Sequence, residues 1–182
     1  MKKRLHTSDY TRMALMAALI SVSGYLILPL PFSPVPVTAQ SLAIMLAGSL
    51  LAPYQAFISV GLFILLGTIG LPVFAGGASG PGVLVGPTGG YLFGFLLGAI
   101  IISHLRGSHP GFFRFALANL AGGVIAVYLI GVPWLSQITN LSLQQAFMVG
   151  GLPFLAGDLT KVAIAAGLAW KLEPQLKRAV YR

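Results

Sequence analysis

Two oppositely charged residues, Asp158 and Lys161, lie three positions apart inside the apolar run GGLPFLAGDLTKVAIAAGLAW, which is long enough to cross a bilayer. Each costs about 2.5–3.5 kcal/mol near the bilayer centre on insertion scales, so such residues persist where they pair or bind something. A carboxylate accepts hydrogen bonds and an ammonium donates them, and a low dielectric strengthens both. The pair is therefore the first candidate for a ligand-binding site.

The rest of the chain has the composition of an integral membrane protein. Hydrophobic residues make up 57% of the 182 positions and charged residues 8%, and mean hydropathy is +0.90. From Met13 to Leu105 there is no Lys, Arg, Asp or Glu, whereas charged residues are about a quarter of an ordinary globular chain. We expect one membrane domain over residues 1–182. The chain has no cysteine, which excludes disulfides and thiolate metal sites.

Clusters of proline and glycine divide the apolar sequence into six candidate helices, about as many as the length allows at about 20 residues per crossing. The prediction is an all-α fold of six transmembrane helices, with a gating loop rich in glycine and proline over about residues 72–89. The predicted helices cover approximately residues 11–29, 39–52, 54–71, 90–105, 112–135 and 151–172.

The basic residues predict the orientation of these helices. With six crossings and a cytoplasmic N-terminus, ten of the eleven Lys and Arg residues lie inside, and Lys161 is the remaining one. This satisfies the positive-inside rule, places both termini in the cytoplasm and predicts a multi-pass protein of the cell membrane. The basic start followed by MALMAALISVSG also fits a cleaved signal peptide, but the apolar run continues to Leu30 and favours a first helix. Charges confined to membrane borders argue against nucleic acid as a partner.

Helical spacing brings the charged pair to the same depth as other polar groups. Residues i and i+3 share a helix face, so Asp158 and Lys161 point to one place in the outer half of the membrane. Gln40 and Ser41 begin the second helix and Tyr91 begins the fourth at this level. The glycine-rich loop supplies backbone N–H groups there. We therefore expect a pocket that opens outward beneath the gating loop.

Each of these residues also has a structural interpretation. Asp158 and Lys161 could form an ion pair that only fixes the sixth helix to its neighbours. Gln40 could bridge two helices, and Tyr91 could be an interfacial anchor. The loop is too long for a simple turn, which favours ligand binding.

Other patterns indicate packing or exclude chemistry. Gly90, Gly94 and Gly98 form a G-x-x-x-G stripe that predicts close contact with another helix, and Asn119 is expected to hydrogen-bond a neighbouring helix. The histidines at positions 6, 104 and 109 lack ligand spacing, so we expect no metal site. No G-x-x-x-x-G-K-[ST] motif occurs, which excludes ATP hydrolysis through a P-loop.

The first predicted helix carries a strip of small residues that includes Ala14 and Ala18. Small side chains let another helix approach closely in lipid. The strip fits internal packing and docking of another subunit equally well.

Five motifs in separate segments resemble one known family. They are A-x-x-x-A at Ala14 and Ala18, P-V-P-V-T-A-Q at 34–40, G-L-P-V-F-A-G-G at 70–77, G-P-T-G-G-Y at 86–91 and G-D-x-x-K at 157–161. In this order they resemble the BioY family, the biotin-specific substrate-binding subunits, or S-components, of energy-coupling factor (ECF) transporters. The resemblance covers nearly the whole chain.

The resemblance implies a non-enzymatic S-component fold that binds biotin with high affinity from outside and uses no cofactor. It implies association, through Ala14 and Ala18, with a transmembrane coupling protein that carries two cytoplasmic ATPases and drives delivery inward. By the same resemblance, Asp158 and Lys161 bind the polar groups of the ligand. The other predicted ligand-binding residues are Gln40 and Tyr91, from their depth, and Gly77 and Ala78 in the gating loop.

Two departures from the family pattern concern the carboxylate of biotin. Some relatives have Asn where this chain has Ala78 and Arg where it has Leu92. Carboxylate binding here would rely on backbone N–H groups or on Lys161. An S-component for another vitamin, such as thiamin or riboflavin, and a small intramembrane enzyme with Asp158 as a base are the alternative functions.

Overall fold

The computed structural model describes residues 6–108 and 110–180, with the backbone alone for residues 177–180. The basic residues at positions 2–4 and 182, the side chains of 177 and 178, and His109 lie outside the described residues. The helices are α1 (Thr7–Ser23), α2 (Gln40–Leu50), α3 (Pro53–Thr68), α4 (Pro81–Val85), α5 (Gly89–Leu105), α6 (Phe112–Asn119), α7 (Val127–Thr139), α8 (Leu143–Gly150) and α9 (Leu155–Val180). A π-helical segment, Leu120–Ala126, joins α6 to α7, and short 3-10 turns lie at Ala75–Gly77 and Leu152–Phe154.

Each of the six predicted helices has a helical counterpart, but the first one ends earlier than expected. After Ser23 the chain turns into a short antiparallel hairpin of β1 (Ile27–Leu28) and β2 (Val37–Thr38), in which Ile27 pairs with Thr38. The intervening PLPFSPVP is rich in proline, which cannot donate to a strand ladder, so the pairing stays short. The all-α prediction missed this hairpin.

A second element that the prediction missed is α8, which lies in the connection before the last long helix. Its N-terminus is capped by Ser142, whose hydroxyl accepts from the backbone N–H of Gln145 at 3.3 Å, while the Gln145 amide oxygen accepts from the N–H of Ser142 at 3.0 Å. This reciprocal capping satisfies N–H groups that the first turn of a helix leaves without partners. The connection is therefore ordered as helix.

Length and hydropathy support a membrane location. Two continuous helical stretches in the described part of the chain are long and apolar enough to cross a bilayer, Phe112–Thr139 with a mean hydropathy of 2.1 and Leu143–Leu176 with 1.4. Three shorter apolar helices, α2, α3 and α5, accompany them. Large apolar side chains remain exposed on the outside, including Phe113 at 80% and Leu129 at 70%. Lipid is the solvent that suits such a surface.

The glycine stripe of α5 packs against α7 and the π-helical segment, as predicted. A Cβ atom at Gly98 would lie 2.3 Å from the carbonyl oxygen of Gly122, and one at Gly94 would lie 2.9 Å from the Cα of Val127. Such distances are too short for any larger residue. The two backbones therefore touch, and α5 lies at the centre of the bundle, where it also contacts α2 and α3.

Asn119, at the end of α6, is fully buried and accepts a hydrogen bond from the Ser49 hydroxyl of α2 at 3.1 Å. The predicted bond to a neighbouring helix is confirmed. The π-helical segment begins at the next residue and widens the helix there. Segments of this kind often lie near functional sites.

The small residues of α1 divide between two faces. Ala17 and Ile20 are buried against the bundle, at 2% and 0% exposure, whereas Ala14 and Ala18 are exposed together with Leu15 and Val22. Ala14 and Ala18 thus do not serve internal packing. The outward face of α1 is apolar and has small side chains at its centre.

Candidate functional site

One cavity of about 400 Å³ lies beneath the gating loop. Its walls come from the hairpin, the gating loop and the facing sides of α2, α5, α7 and α9. Most of the lining is apolar, with phenylalanine side chains at three points, Phe74, Phe95 and Phe154. Cavities of roughly 300–1,000 Å³ with few convergent polar groups are typical of small-molecule sites.

The charged pair lines this cavity, as the helical spacing predicted. The ammonium nitrogen of Lys161 lies 3.2 Å from Oδ1 of Asp158, and the two side chains are 16% and 9% exposed. Both residues lie in the first turns of α9 and face the start of α2. The pair is thus partly desolvated and at the cavity wall.

All three N–H donors of Lys161 have acceptors. Besides Asp158, the ammonium donates to the backbone carbonyl of Thr38 at 2.9 Å and to the hydroxyl of Ser41 at 2.8 Å. Thr38 ends β2 and Ser41 lies in the first turn of α2, so one side chain ties the last helix to the hairpin and the second helix. Lys161 therefore fixes three elements around the cavity.

Asp158 is held by three donors. Oδ1 accepts from Lys161 and from the Ser41 hydroxyl at 3.4 Å, and Oδ2 accepts from the Tyr128 hydroxyl at 2.5 Å. A carboxylate offers about four acceptor positions, so Oδ2 keeps capacity for one further donor. We call Asp158, Lys161, Ser41 and Tyr128 the polar tetrad.

Tyr128 is the member of the polar tetrad that the sequence analysis missed. It lies in the first turn of α7, two residues after the π-helical segment ends at Ala126, and lines the cavity. It stands inside the apolar run VIAVYLIGV, where no polar residues at helical spacing mark a face of the helix. A lone hydroxyl in the middle of a membrane-spanning stretch was the available hint, since buried tyrosines need a partner for the hydroxyl.

Gln40 and Tyr91 line the cavity as predicted, but the Gln40 amide nitrogen and the Tyr91 hydroxyl donate to backbone carbonyls. The Gln40 amide nitrogen donates to the carbonyl of Val73 at 3.1 Å and that of Ile20 at 3.5 Å. The Tyr91 hydroxyl donates to the carbonyl of Gly150 at 2.7 Å. Gln40 thus fastens the loop to α1, and Tyr91 presents its ring to the cavity.

The two predicted loop residues differ in their position. Ala78 lines the cavity, whereas Gly77 is outside the lining and lies against the ring of Tyr25, with φ at +79°. Leu92 also lines the cavity and is 5% exposed. The role of these positions in ligand binding stays a prediction.

The gating loop is fastened at both ends and along its length. Its first carbonyl, that of Pro72, accepts from the Tyr25 hydroxyl. The N–H of Gly80 donates to the carbonyl of Gly67 at 2.7 Å, and the Trp134 indole donates to the carbonyl of Gly86 at 2.9 Å. The loop is therefore an ordered cover over the cavity.

Apolar helices around a cavity with one polar cluster define a membrane-embedded protein that binds a small, mostly apolar ligand. In the described residues no group of three or more His, Cys, Asp or Glu side chains is placed to hold a metal ion. The sequence profile of the BioY family matches residues 1–178, and the chain belongs to that family. The resemblance read from the five motifs is confirmed.

Individual relatives agree over nearly their full lengths. The chain is 36% identical over 171 residues to the biotin transporter BioY of Rhizobium etli, covering 89% of this chain and 91% of that protein. It is 39% identical over 159 residues to the biotin transporter BioY of Thermotoga maritima, with 87% and 92% covered. A solved S-component for biotin from an ECF-type ABC transporter superposes with a TM-score of 0.86 at 32% identity, covering 94% of this chain and 95% of that one. The fold is therefore that of an S-component.

Proposed function

We propose that this chain is the biotin-binding subunit of a vitamin uptake transporter and captures biotin from the outer side of the cell membrane. The observation that carries the proposal is the polar tetrad, a fixed set of charged and hydroxyl groups at the wall of an otherwise apolar cavity. The relatives named as biotin transporters support the choice of ligand. The chain acts as a transport subunit and performs no chemistry on the ligand.

The chemistry of biotin suits the cavity. Its ureido ring has two N–H donors and a carbonyl acceptor, and its thiophane ring is apolar. One ureido N–H donates to the remaining acceptor position on Oδ2 of Asp158. The ureido carbonyl accepts from Lys161 in place of the Asp158 oxygen, since that 3.2 Å bond is the longest of the three that the ammonium makes. Charge-assisted bonds of this kind are strong in a low dielectric.

The apolar part of biotin packs against the aromatic and aliphatic walls. Phe74 is 1% exposed and meets Phe63 edge to face at 5.5 Å between ring centroids, so this wall is rigid. A preformed apolar wall lowers the entropy lost on binding. The combination of a fixed tetrad and a rigid wall supports high affinity.

We further propose six membrane crossings with both termini in the cytoplasm. The crossings are α1, α2, α3, α5, the continuous α6–α7 rod and α9. At 1.5 Å per residue the 11 residues of α2 reach only about 16 Å, which is shorter than the hydrocarbon core of a bilayer. The hairpin and the gating loop therefore fill the outer half of the membrane beside α2. Irregular backbone is tolerated at membrane depth where it lines a cavity, and both the hairpin and the gating loop contribute lining residues.

The exposed face of α1 is the surface we assign to the energizing module. Ala14 and Ala18 lie on this face, and close helix contact in lipid needs small residues. The partner is a transmembrane coupling protein that carries two cytoplasmic ATPases. The similarity to an S-component from an ECF-type transporter supports such a module.

Titration of the purified, detergent-solubilised protein with biotin tests the ligand assignment. Loss of one charge-assisted hydrogen bond costs about 1.5–3 kcal/mol, so Asp158→Asn and Lys161→Ala should each weaken binding about 10- to 150-fold. Lys171→Met is the matched control, because Lys171 is exposed on the same helix and lies outside the cavity lining. Unchanged affinity in both site variants would contradict the assignment of the binding residues. Displacement of biotin by thiamin or riboflavin would contradict the assignment of biotin as the ligand.

A further inference from the structure

The electric charge of the cavity wall bears on which part of the ligand the protein recognises. Of the described side chains that line the cavity, two are charged, Asp158 and Lys161, and they pair at 3.2 Å. The wall therefore has no net charge. A ligand with an ionised tail brings one negative charge that no unpaired cation at this wall compensates.

Lys161 does not supply that cation without losing other bonds. Its three donors go to the Thr38 carbonyl, the Ser41 hydroxyl and Asp158. A tail carboxylate that took one of these donors would also lie close to the Asp158 carboxylate, and like charges repel strongly in a low dielectric. Lys161 is thus suited to a neutral acceptor in the ligand head.

The phenol groups at the wall are engaged as well. The Tyr91 hydroxyl donates to the carbonyl of Gly150 and the Tyr128 hydroxyl to Asp158. The start of α2 also lines the cavity, but it lies at Ser41 within the polar tetrad. The positive potential left for the tail is that of the start of α5, where Gly86, Pro87 and Thr88 line the cavity. The field of a helix start favours an anion by about two- to fivefold in affinity. This sets the size of any preference for an ionised tail.

We propose that this chain recognises the bicyclic urea head of its ligand and is nearly indifferent to the charge of the tail. This rests on the proposed function and extends its ligand class to small bicyclic ureas whose tail is uncharged. Biotinamide and biotin methyl ester, in which the carboxylate is neutralised, should bind within about fivefold of biotin. Modification of the head should be far more damaging, because it removes the donor to Asp158.

Competition against tritiated biotin on the full chain in detergent measures how much the head and the tail of the ligand each contribute to affinity. The tail probes are biotinamide and biotin methyl ester, and the head probe is biotin methylated on a ureido nitrogen. A loss below tenfold for both tail probes, with a loss of tenfold or more for the head probe, supports the proposal. A loss of tenfold or more for biotinamide overturns it. Failure of biotin itself to bind would instead refute the proposed function, so the two failures are distinguishable.

Discussion

Replacing Lys161 by methionine, which is unbranched and only one atom shorter and has no charge, isolates the contribution of the cation to the folded state. The variant loses the hydrogen bonds to the Thr38 carbonyl and the Ser41 hydroxyl as well as the ion pair. The Asp158 carboxylate, 6% exposed as a residue, then stays buried without a counter-charge. We expect the protein without ligand to be clearly destabilised.

The size of the loss in unfolding free energy depends on the hydrogen-bond donors that remain around the Asp158 carboxylate. Removing one partner of a buried ion pair costs about 3–5 kcal/mol. Ser41 and Tyr128 still donate to Asp158 in the variant, which favours the lower end, about 3 kcal/mol. For a chain of this size each kcal/mol lowers Tm by about 2–4 °C, so the expected shift is about 6–12 °C.

Thermal unfolding in detergent without biotin measures the shift, and a second variant tests its cause. Asp158→Asn combined with Lys161→Met leaves no buried charge at the tetrad, so it should recover at least half of the lost stability. A shift below 3 °C for Lys161→Met, or a double variant less stable than the single one, would refute the reasoning. Lys171→Met, on the exposed part of α9, should leave Tm unchanged.

Three further outcomes are expected. Tyr128→Phe should weaken biotin binding about 5- to 30-fold while the chain still folds, because Oδ2 of Asp158 loses the donor that orients it. Biotin titration curves that are the same for this variant and the unmodified protein would exclude this role. Gly98→Ala should destabilise the protein by about 1–3 kcal/mol in thermal unfolding, since its Cβ would meet the Gly122 carbonyl, whereas Gly61→Ala, with nothing within 4 Å, should not. Ala18→Trp should leave biotin binding intact and abolish co-purification with the energizing module; retained assembly would place the docking face elsewhere.

The sequence predicted the helices well because hydrophobic runs and proline–glycine breaks are local signals. It predicted the convergence of Asp158 and Lys161 with Gln40, Ser41 and Tyr91 because helix spacing and depth follow from counting residues. The hairpin was missed since a two-pair ladder among prolines has no periodic pattern. The capping motif at Ser142 was readable, and α8 could have been predicted from it.

The role of each polar side chain was less predictable than its position. Gln40 was expected either at the ligand or as a bridge between helices, and its amide nitrogen bonds the carbonyls of Val73 and Ile20. Tyr128 was missed, although it makes the shortest bond in the tetrad. The bonds of Gln40 and Tyr128 depend on which atoms of other helices or loops lie within about 3 Å of their polar groups. Composition and residue spacing do not determine distances that precisely.

Many bonds that hold this site together end on a backbone carbonyl. Lys161 reaches that of Thr38, Tyr91 that of Gly150, and Trp134 that of Gly86. An acceptor of this kind is the same atom whatever side chain the residue carries. Related chains can therefore exchange the amino acid at an acceptor position with room for a side chain, such as Thr38, without losing the contact, whereas Gly150 is confined by Leu135 and Tyr91. Statistical covariation between aligned sequences would be blind to links of the first kind.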